Sequence, residues 1–362
     1  MTTYDAVVIG AGQAGLSASY HLKRRGFSHV VLDADDSPGG AWQHRWDSLT
    51  MHDVHGIAAL PDADSPTTLD GRANTVVPAY FGDYERVHDL PVLRPVRVDS
   101  VTEEGDLLVV HAGDRTWTAR TIVNATGTWT QPHLPYYPGA ADFRGEQLHT
   151  VSYPGPEHFR DLRVVVVGGG ASAVQLLGEI APVAADTLWV TRREPVWRTD
   201  EFNPDRGREA VALVEERVRR GLPPASVVSV TGLALREQER EAERLGAYER
   251  HPMFTRIEPD GVRLPDGELW PADVILWATG FRPAISHLAP LHLRSEHGGI
   301  QLDGTTAVAD PRVQLVGYGP SASTIGANRA GRVAARGVAA WVSRQALARL
   351  PQPPEDRMPS SA

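Results

Sequence analysis

The stretch Tyr4-Asp-Ala-Val-Val-Ile9, followed at once by Gly10-Ala-Gly12-Gln-Ala-Gly15, decides the fold of this chain. A short apolar run before a G-x-G-x-x-G pattern predicts a β-strand that turns tightly into a helix, here over Leu16 to Arg25. The first glycine permits the turn, the second lets a pyrophosphate approach the backbone, and the third lets helix and strand pack closely. The stretch therefore predicts a dinucleotide-binding unit with the phosphates at the helix N-terminus.

A carboxylate ends the next predicted strand. Asp33 follows the run His29-Val-Val-Leu32 and stands 18 residues after Gly15. An acid at this place can accept hydrogen bonds from the ribose hydroxyls of a nucleotide without a 2′-phosphate. The alternative is a carboxylate that simply ends a strand in solvent.

A second glycine loop repeats the pattern 158 residues later, from Gly10 to Gly168. The run Val164-Val-Val-Val167 precedes Gly168-Gly-Gly170-Ala-Ser-Ala173, and Ser172 can donate to a phosphate. The next strand ends not in an acid but in Arg192 and Arg193. Because arginines pair with a phosphate through charge-assisted bonds, the second unit is predicted to bind NADPH. The alternative is a pair of solvated surface arginines.

Composition narrows the class of protein. The 362 residues contain no cysteine, so disulfides, thiolate metal sites and dithiol redox pairs are excluded within them. The net charge of −9 disfavours nucleic acid as a partner. No apolar run reaches the length of a membrane span, and no signal peptide is evident, so we expect a cytoplasmic protein that does not bind membranes. No metal site is predicted.

Three further motifs together resemble a known family. Asn124-Ala-Thr-Gly127 and Ala278-Thr-Gly-Phe-Arg-Pro283 each follow a predicted strand, as in two-dinucleotide flavoproteins. Phe143-Arg-Gly145-Glu-Gln-Leu-His149-Thr-Val-Ser-Tyr153 matches F-x-G-x-x-x-H-x-x-x-[FY], which resembles the fingerprint of the class B flavin-containing monooxygenases. The resemblance covers about residues 1–345 and identifies a compact bacterial member of the family.

The resemblance implies both the cofactors and the reaction. FAD would occupy the first unit and NADPH the second, and NADPH would reduce FAD by hydride transfer. Oxygen would then form a C4a-(hydro)peroxyflavin, which oxygenates a small-molecule substrate. A tyrosine at position 153 favours oxygenation at nitrogen or sulfur, because Baeyer–Villiger members usually carry tryptophan there. Pro154, which is common in the Baeyer–Villiger form, keeps oxidation of a ketone open as an alternative.

Three side chains are candidates for catalytic roles. His149 has a possible acid–base role, although the resemblance favours a structural role in the linker between domains, and Tyr153 ends the same motif. Many family members place an asparagine beside the flavin, in the part of the chain that corresponds here to Arg45 to His55. That segment contains no asparagine, so His52 is a candidate replacement. His52 could equally be an ordinary packed polar residue.

We predict an α/β fold with two Rossmann-like dinucleotide-binding domains, the NADPH domain being inserted into the FAD domain. The FAD domain would comprise residues 1–156 and 283–350, and the NADPH domain would comprise residues 157–282. Residues 351–362 are predicted to form a disordered tail.

The run Val76-Val77 is interpreted as strand-like. Trp42, Arg45 and Trp46 are either residues at the flavin edge or core residues. The predicted cofactor-binding residues are Gly10, Gly12, Gln13, Ala14, Gly15, Asp33, Ala34, Gly40, Trp42, Arg45, Val98, Ala125, Thr126, Gly127, Gly168, Gly170, Ala171, Ser172, Ala173, Arg192, Arg193, Ala278, Thr279, Gly280, Gly317 and Tyr318.

Two functions from other classes compete with the monooxygenase. One is an NAD(P)H reductase that passes electrons to a quinone or a protein, and the other is a flavin-bound sensor without catalysis. The expected partners are a small-molecule substrate and O₂. The sequence leaves the oligomeric state open, a homodimer included.

Overall fold

The computed structural model describes residues 2–54, 57–197, 204–224, 232, 233, 235 and 239–348, without the side chains of 204–211, 324, 325 and 348. The predicted tail at 351–362 lies outside the described residues. The described helices are α1 (Gln13–Arg24), α2 (Ala73–Val87), α3 (Ala171–Ile180), α4 (Pro204–Arg219), α5 (Arg240–Arg244) and α6 (Thr324–Ala348).

The first sheet has seven strands and contains the first glycine loop. Its central strands are parallel and fully buried, as expected for a sheet covered on both faces. The strands, in spatial order, are β17 (Leu302–Asp303), β18 (Thr306–Ala307), β19 (Val313–Leu315), β8 (Ile122–Asn124), β2 (Ala6–Ile9), β3 (His29–Leu32) and β4 (Val92–Leu93).

The second sheet has five parallel strands and contains the second glycine loop. In spatial order they are β12 (Arg250–Pro252), β11 (Asp186–Thr191), β10 (Arg163–Val167), β16 (Val274–Trp277) and β9 (Glu146–His149). Two separate sheets, each with parallel central strands and its own strand–loop–helix unit, confirm the predicted fold class.

Two small antiparallel sheets complete the architecture. Hairpin turns form at Gly105 and Gly113, both with φ +60°. One sheet contains β1 (Thr3–Tyr4), β7 (Arg115–Ala119), β6 (Leu107–Ala112) and β5 (Ser100–Glu104), and the other contains β13 (Arg256–Glu258), β14 (Gly261–Arg263) and β15 (Leu269–Pro271).

Helices α1 and α6 pack side by side over the first sheet. A Cβ on Gly331 of α6 would lie 2.5 Å from Ser17 Oγ and 2.7 Å from the amide nitrogen of Ala18, so a glycine permits this close approach. Ser17 Oγ also donates to the carbonyl of Asn328 at 3.0 Å. The C-terminal helix therefore holds the helix that follows the first glycine loop.

The chain crosses between the two sheets at two adjacent places. Pro132 and Phe281 form an isolated antiparallel bridge, and the amide of Arg282 donates to the carbonyl of Gln131 at 2.8 Å. Strand β9 hydrogen-bonds to β16 in the second sheet, although the predicted limit of 156 places β9 in the first domain. The other domain limits stay predictions.

The strand-like interpretation of Val76-Val77 is wrong, because both residues lie in α2. The buried residues of this helix are Ala73, Val77, Phe81 and Tyr84, which recur at helical spacing. The helical spacing of these buried residues outweighs the β-propensity of two adjacent valines.

Candidate cofactor sites and active cleft

Each glycine of the first loop meets a different steric requirement. Gly10 has φ +99°, and a Cβ there would lie 2.7 Å from the carbonyl oxygen of Ala125. A Cβ on Gly15 would lie 1.9 Å from the oxygen of Gly10, so helix and loop touch. Gly12 has nothing within 4 Å of a Cβ, which leaves its backbone open at the N-terminus of α1.

Further glycines gather around the same helix end. A Cβ on Gly40 would lie 2.8 Å from Gly12 Cα, and one on Gly317 would lie 3.7 Å from Gly127 Cα and 4.0 Å from Ala14 Cβ. Glycines from four distant segments thus leave backbone exposed around one opening.

A buried polar atom without a partner lies at this opening. Gln13 Nε2 donates to the carbonyl of Ala58 at 2.8 Å, but Gln13 Oε1 is enclosed and has no hydrogen-bond partner among the described residues. An enclosed acceptor beside open glycines and a helix N-terminus fits the phosphates and ribose of a dinucleotide.

Asp33 is held in place by a buried ion-pair network that the sequence did not reveal. Its carboxylate accepts from the amide of Ala11 at 3.2 Å and from Arg94 Nε at 2.7 Å. Arg94 also donates twice to Glu85, each bond being 2.7 Å long. Burial raises the pKa of Asp33, and Arg94 opposes this rise. Ala34 follows directly and is half-buried, whereas Val98 packs partly buried against the core.

The second glycine loop repeats the geometry of the first. A Cβ on Gly168, at φ +146°, would lie 2.2 Å from the carbonyl oxygen of Ala278, while Gly170 and Gly280 are open. Helix α3 begins at Ala171, and its first turn contains Ser172 and Ala173. The loop therefore presents open backbone and a helix N-terminus to a second nucleotide.

Arg192 and Arg193 are exposed at the end of β11, the position that corresponds to Asp33 at the end of β3. Thr191 Oγ1 donates to the carbonyl of Arg193 at 2.6 Å and so fixes the backbone there. The two equivalent strand ends carry opposite charge, in keeping with the predicted difference between the nucleotides.

The two crossing turns are bound to each other. Thr126 Oγ1 donates to the carbonyl of Ala284 at 2.6 Å, and the amide of Ala284 donates to the carbonyl of Gly127 at 2.9 Å. Thr279 Oγ1 donates to the carbonyl of His133. Ala125 and Ala278, which lie in these turns, are buried against the glycine loops.

His149 lies at the same junction and uses both ring nitrogens. Nε2 lies 3.1 Å from the carbonyl oxygen of Gly280, and Nδ1 accepts from the amide of Val151 at 3.3 Å. Burial lowers the pKa of His149, which favours the neutral ring. This geometry couples the linker to the second crossing turn, whereas an acid–base role for His149 stays a prediction.

Tyr153 joins a buried cluster around Glu179 of α3, a residue that sequence reasoning missed. The hydroxyl of Tyr153 donates to Glu179 Oε2 at 3.0 Å, Trp46 Nε1 donates to Oε1 at 3.1 Å, and Ser48 Oγ donates to Oε2. Burial raises the pKa of Glu179, although its three donors oppose the rise. One carboxylate thus ties the helix of the second glycine loop to a segment that follows the first.

Arg45 is enclosed by indole rings. Its Cζ lies 4.4 Å from the ring centroid of Trp129, 5.5 Å from that of Trp42 and 6.0 Å from that of Trp46. Trp129 in turn stacks on Phe281, with ring centroids 5.2 Å apart. Arg45 therefore lies between the first glycine loop and the second crossing turn.

Two predicted site residues lie apart from these groups. His52, the candidate replacement for the asparagine, is exposed on a turn. Tyr318 is buried in a core cluster, and its hydroxyl accepts from the amide of Ile300 at 3.1 Å. The side chain of Tyr318 therefore packs, while the open backbone of its neighbour Gly317 faces Gly127.

Neither metal-binding clusters nor membrane-spanning helices occur in the part of the chain that the structure describes. No group of three or more metal-ligating side chains is found there, and no helix is long and apolar enough to span a bilayer. A cytoplasmic location stays a prediction.

Comparison with known proteins places this geometry in a family. A family model described as pyridine nucleotide-disulphide oxidoreductase matches residues 7–309. An uncharacterised CzcO-like oxidoreductase of Geobacillus kaustophilus is 29% identical over 49% of the chain, and the match spans only 51% of that relative. A ferredoxin–NADP reductase of Salinispora arenicola is 30% identical over 88% of the chain and 86% of the relative.

A solved structure matches over nearly the whole length. It is a flavin-containing monooxygenase from Stenotrophomonas maltophilia, 38% identical, with a TM-score of 0.81, covering 94% of this chain and 100% of that one. The chain belongs to the pyridine nucleotide-disulphide oxidoreductase family and, within it, to the flavin-containing monooxygenases of class B.

Proposed function

We propose that the protein is an FAD- and NADPH-dependent monooxygenase that adds one oxygen atom of O₂ to a nitrogen or sulfur of a small molecule. The observation that carries this proposal is the 38% identity to a flavin-containing monooxygenase over 94% of the chain. The absence of cysteine supports it, because electrons that reach FAD in these 362 residues cannot leave through a disulfide.

The first glycine loop would bind FAD. The amides at the start of α1 and the open backbone of Gly12 suit its diphosphate, and Asp33 suits its adenosine ribose. Arg94 positions Asp33, because it fixes one carboxylate oxygen and leaves the other near the loop. When bound, FAD accepts a hydride from NADPH and in its reduced form reacts with O₂.

The second glycine loop would bind NADPH. The N-terminus of α3 suits the diphosphate, and the exposed guanidinium groups of Arg192 and Arg193 suit the 2′-phosphate. His149 would hold the turn at Gly280 against the linker and so set the distance between the two nucleotides.

Tyr153 supports oxygenation at nitrogen or sulfur. Baeyer–Villiger members usually carry tryptophan at this place in the motif, whereas here the hydroxyl of Tyr153 donates a hydrogen bond to Glu179 in a buried cluster. Oxidation of a ketone remains the alternative for the same cofactors, and Pro154 is the residue that favours it.

A second candidate function is electron transfer from NADPH to a protein. The observation that favours it is the 30% identity to a ferredoxin–NADP reductase over 88% of the chain. The two functions differ in the fate of the electrons, which go to oxygen in one and to a redox partner in the other.

One experiment separates these functions. The holoenzyme is supplied with NADPH under ¹⁸O₂ and a panel of sulfides, tertiary amines and ketones, and both NADPH loss and product mass are followed. We expect one ¹⁸O in a sulfoxide or N-oxide for each NADPH consumed. A lactone or ester product would support the Baeyer–Villiger alternative. Rapid reduction of added ferredoxin, with no labelled product from any substrate, would refute the monooxygenase proposal.

A further inference from the structure

Arg45 is a largely enclosed cation that has no anionic partner among the described residues. Its Nε–H is enclosed and donates to no acceptor among the described residues, and none of their carboxylates pairs with its guanidinium. Burial lowers the pKa of Arg45 to about 10, so the group is still charged at neutral pH. An unpaired buried charge is costly, and the surrounding indole rings recover only part of that cost.

Other buried arginines of the chain are paired. Arg94 meets Asp33 and Glu85 at 2.7 Å, and Arg312 meets Asp310 at 2.8 Å. The fold therefore supplies carboxylates to buried guanidinium groups elsewhere. The unpaired state of Arg45 is specific to its location.

That location is between the first glycine loop and the second crossing turn. Arg45 follows the loop in which Gly40 touches Gly12, and its backbone is fixed there, because its carbonyl accepts from Asn74 at 3.0 Å. On the other side, Trp129 links it to Phe281, the residue that follows Gly280. An anion bound at Arg45 would thus lie between the two glycine loops.

The phosphates of the two dinucleotides have other receptors. Each diphosphate has its own helix N-terminus, at α1 and at α3, and the 2′-phosphate has Arg192 and Arg193. A further anion is therefore needed to neutralise Arg45. Because Nε is enclosed, the two terminal nitrogens are the groups open to a ligand, and their paired N–H donors match the two oxygens of a carboxylate.

We propose that Arg45 binds a carboxylate of the substrate, so that the substrates are organic acids that carry the oxidisable nitrogen or sulfur. This inference rests on the proposed function. The indole rings of Trp42, Trp46 and Trp129 would pack against the apolar part of such an acid, while the guanidinium holds its charged end.

The test is a binding measurement on the FAD-loaded enzyme without NADPH. (Phenylthio)acetate and its methyl ester are titrated in turn, with the fluorescence of the adjacent tryptophans as the signal. We expect the acid to bind about 10- to 100-fold more tightly than the ester, as for a charge-assisted pair. Arg45→Met should abolish this preference, and Arg45→Lys should keep only part of it.

The matched control is Arg344→Met. Arg344 also lies over an indole, 5.7 Å from the ring centroid of Trp341, but it is exposed on α6. We expect this variant to keep the full preference for the acid. Because no described carboxylate pairs with Arg45, Arg45→Met should also retain FAD and should not lower the unfolding temperature.

Four results would overturn the assignment. An acid-to-ester ratio that is equal in the parent and in Arg45→Met would refute it directly. A raised KM for NADPH with an unchanged ratio would assign the anion to the nucleotide, and a shifted FAD absorption spectrum with an unchanged ratio would assign Arg45 to the flavin. If Arg45→Met loses FAD, the folded Arg45→Lys variant decides, and an undiminished preference there refutes the carboxylate.

This test also separates the two proposals. Oxygenation of thioanisole without any preference for acids would leave the monooxygenase standing and refute the role of Arg45. A preference for acids in a protein that only reduces ferredoxin would support the role of Arg45 and refute the monooxygenase.

Discussion

Replacing Glu179 by glutamine is the sharpest test of how the two glycine-loop units are held together. The carboxylate accepts hydrogen bonds from Trp46, Ser48 and Tyr153. Ser48 and Tyr153 share one oxygen, so a glutamine carbonyl can serve both. The amide group of glutamine then faces the indole N–H of Trp46, and two donors oppose each other.

The magnitude follows from this geometry. One charge-assisted bond is lost and one buried indole donor is left unsatisfied, which costs about 1–3 kcal/mol. We expect Glu179→Gln to lower the free energy of unfolding by about 2 kcal/mol, and Tyr153→Phe by about 1 kcal/mol, since it removes a single donor. The free energies are measured by urea unfolding of the holoenzyme, followed by both tryptophan and flavin fluorescence.

The control is Glu157→Gln. Glu157 is exposed and pairs with Arg160 at 2.7 Å three residues away on the surface, so its loss should change the stability by less than about 0.5 kcal/mol. Because Glu179 connects the two units, its variant should also separate the tryptophan and flavin transitions. A Glu179→Gln variant as stable as Glu157→Gln, or more stable than Tyr153→Phe, would show that the cluster does not hold the units together.

Three further predictions concern the nucleotides and acid stability. Replacing Arg192 and Arg193 by alanine should raise the KM for NADPH by about 10- to 100-fold and leave that for NADH little changed; an equal effect in steady-state kinetics with both nucleotides would contradict the 2′-phosphate assignment. A Cβ at Gly12 meets open space, so Gly12→Ala should fold but retain less FAD. Gly15→Ala places a Cβ 1.9 Å from a carbonyl oxygen and should prevent folding. The two variants are compared by their soluble expression and their FAD content. Burial lowers the pKa of His287 from 6.5 to about 4, so the unfolded chain binds a proton before the folded one and stability falls as the pH drops through that range. The loss should reach at most about 3 kcal/mol in unfolding measured from pH 7 to pH 4; a His287→Gln variant with the same acid sensitivity would show that another group is responsible.

The sequence was sufficient for the glycine loops because their requirements are local. Gly10, Gly15 and Gly168 each avoid a clash with a backbone oxygen, and such constraints leave a fixed spacing in the chain. The sequence was also sufficient to place Asp33 and Arg192 at strand ends, because each directly follows a buried strand.

The side-chain networks could not be predicted in this way. Glu179 meets Trp46 across 133 positions of sequence, and Arg94 meets Asp33 across 61, with no motif to mark either pair. That Arg45 has no anionic partner among the described residues is visible only once their side chains are placed. Local spacing therefore predicts backbone contacts, whereas buried charges depend on the packing of distant segments.

The bridge between Pro132 and Phe281 makes the second unit one continuous segment that can be exchanged as a whole. The chain leaves the first sheet and returns to it at neighbouring residues, since the amide of Arg282 donates to Gln131 at 2.8 Å. A foreign nicotinamide-binding unit with similarly spaced ends could be transplanted between these points without stretching the acceptor sheet. Coenzyme choice can thus diverge in this architecture by replacement of one continuous segment, while the flavin site keeps all of its own strands.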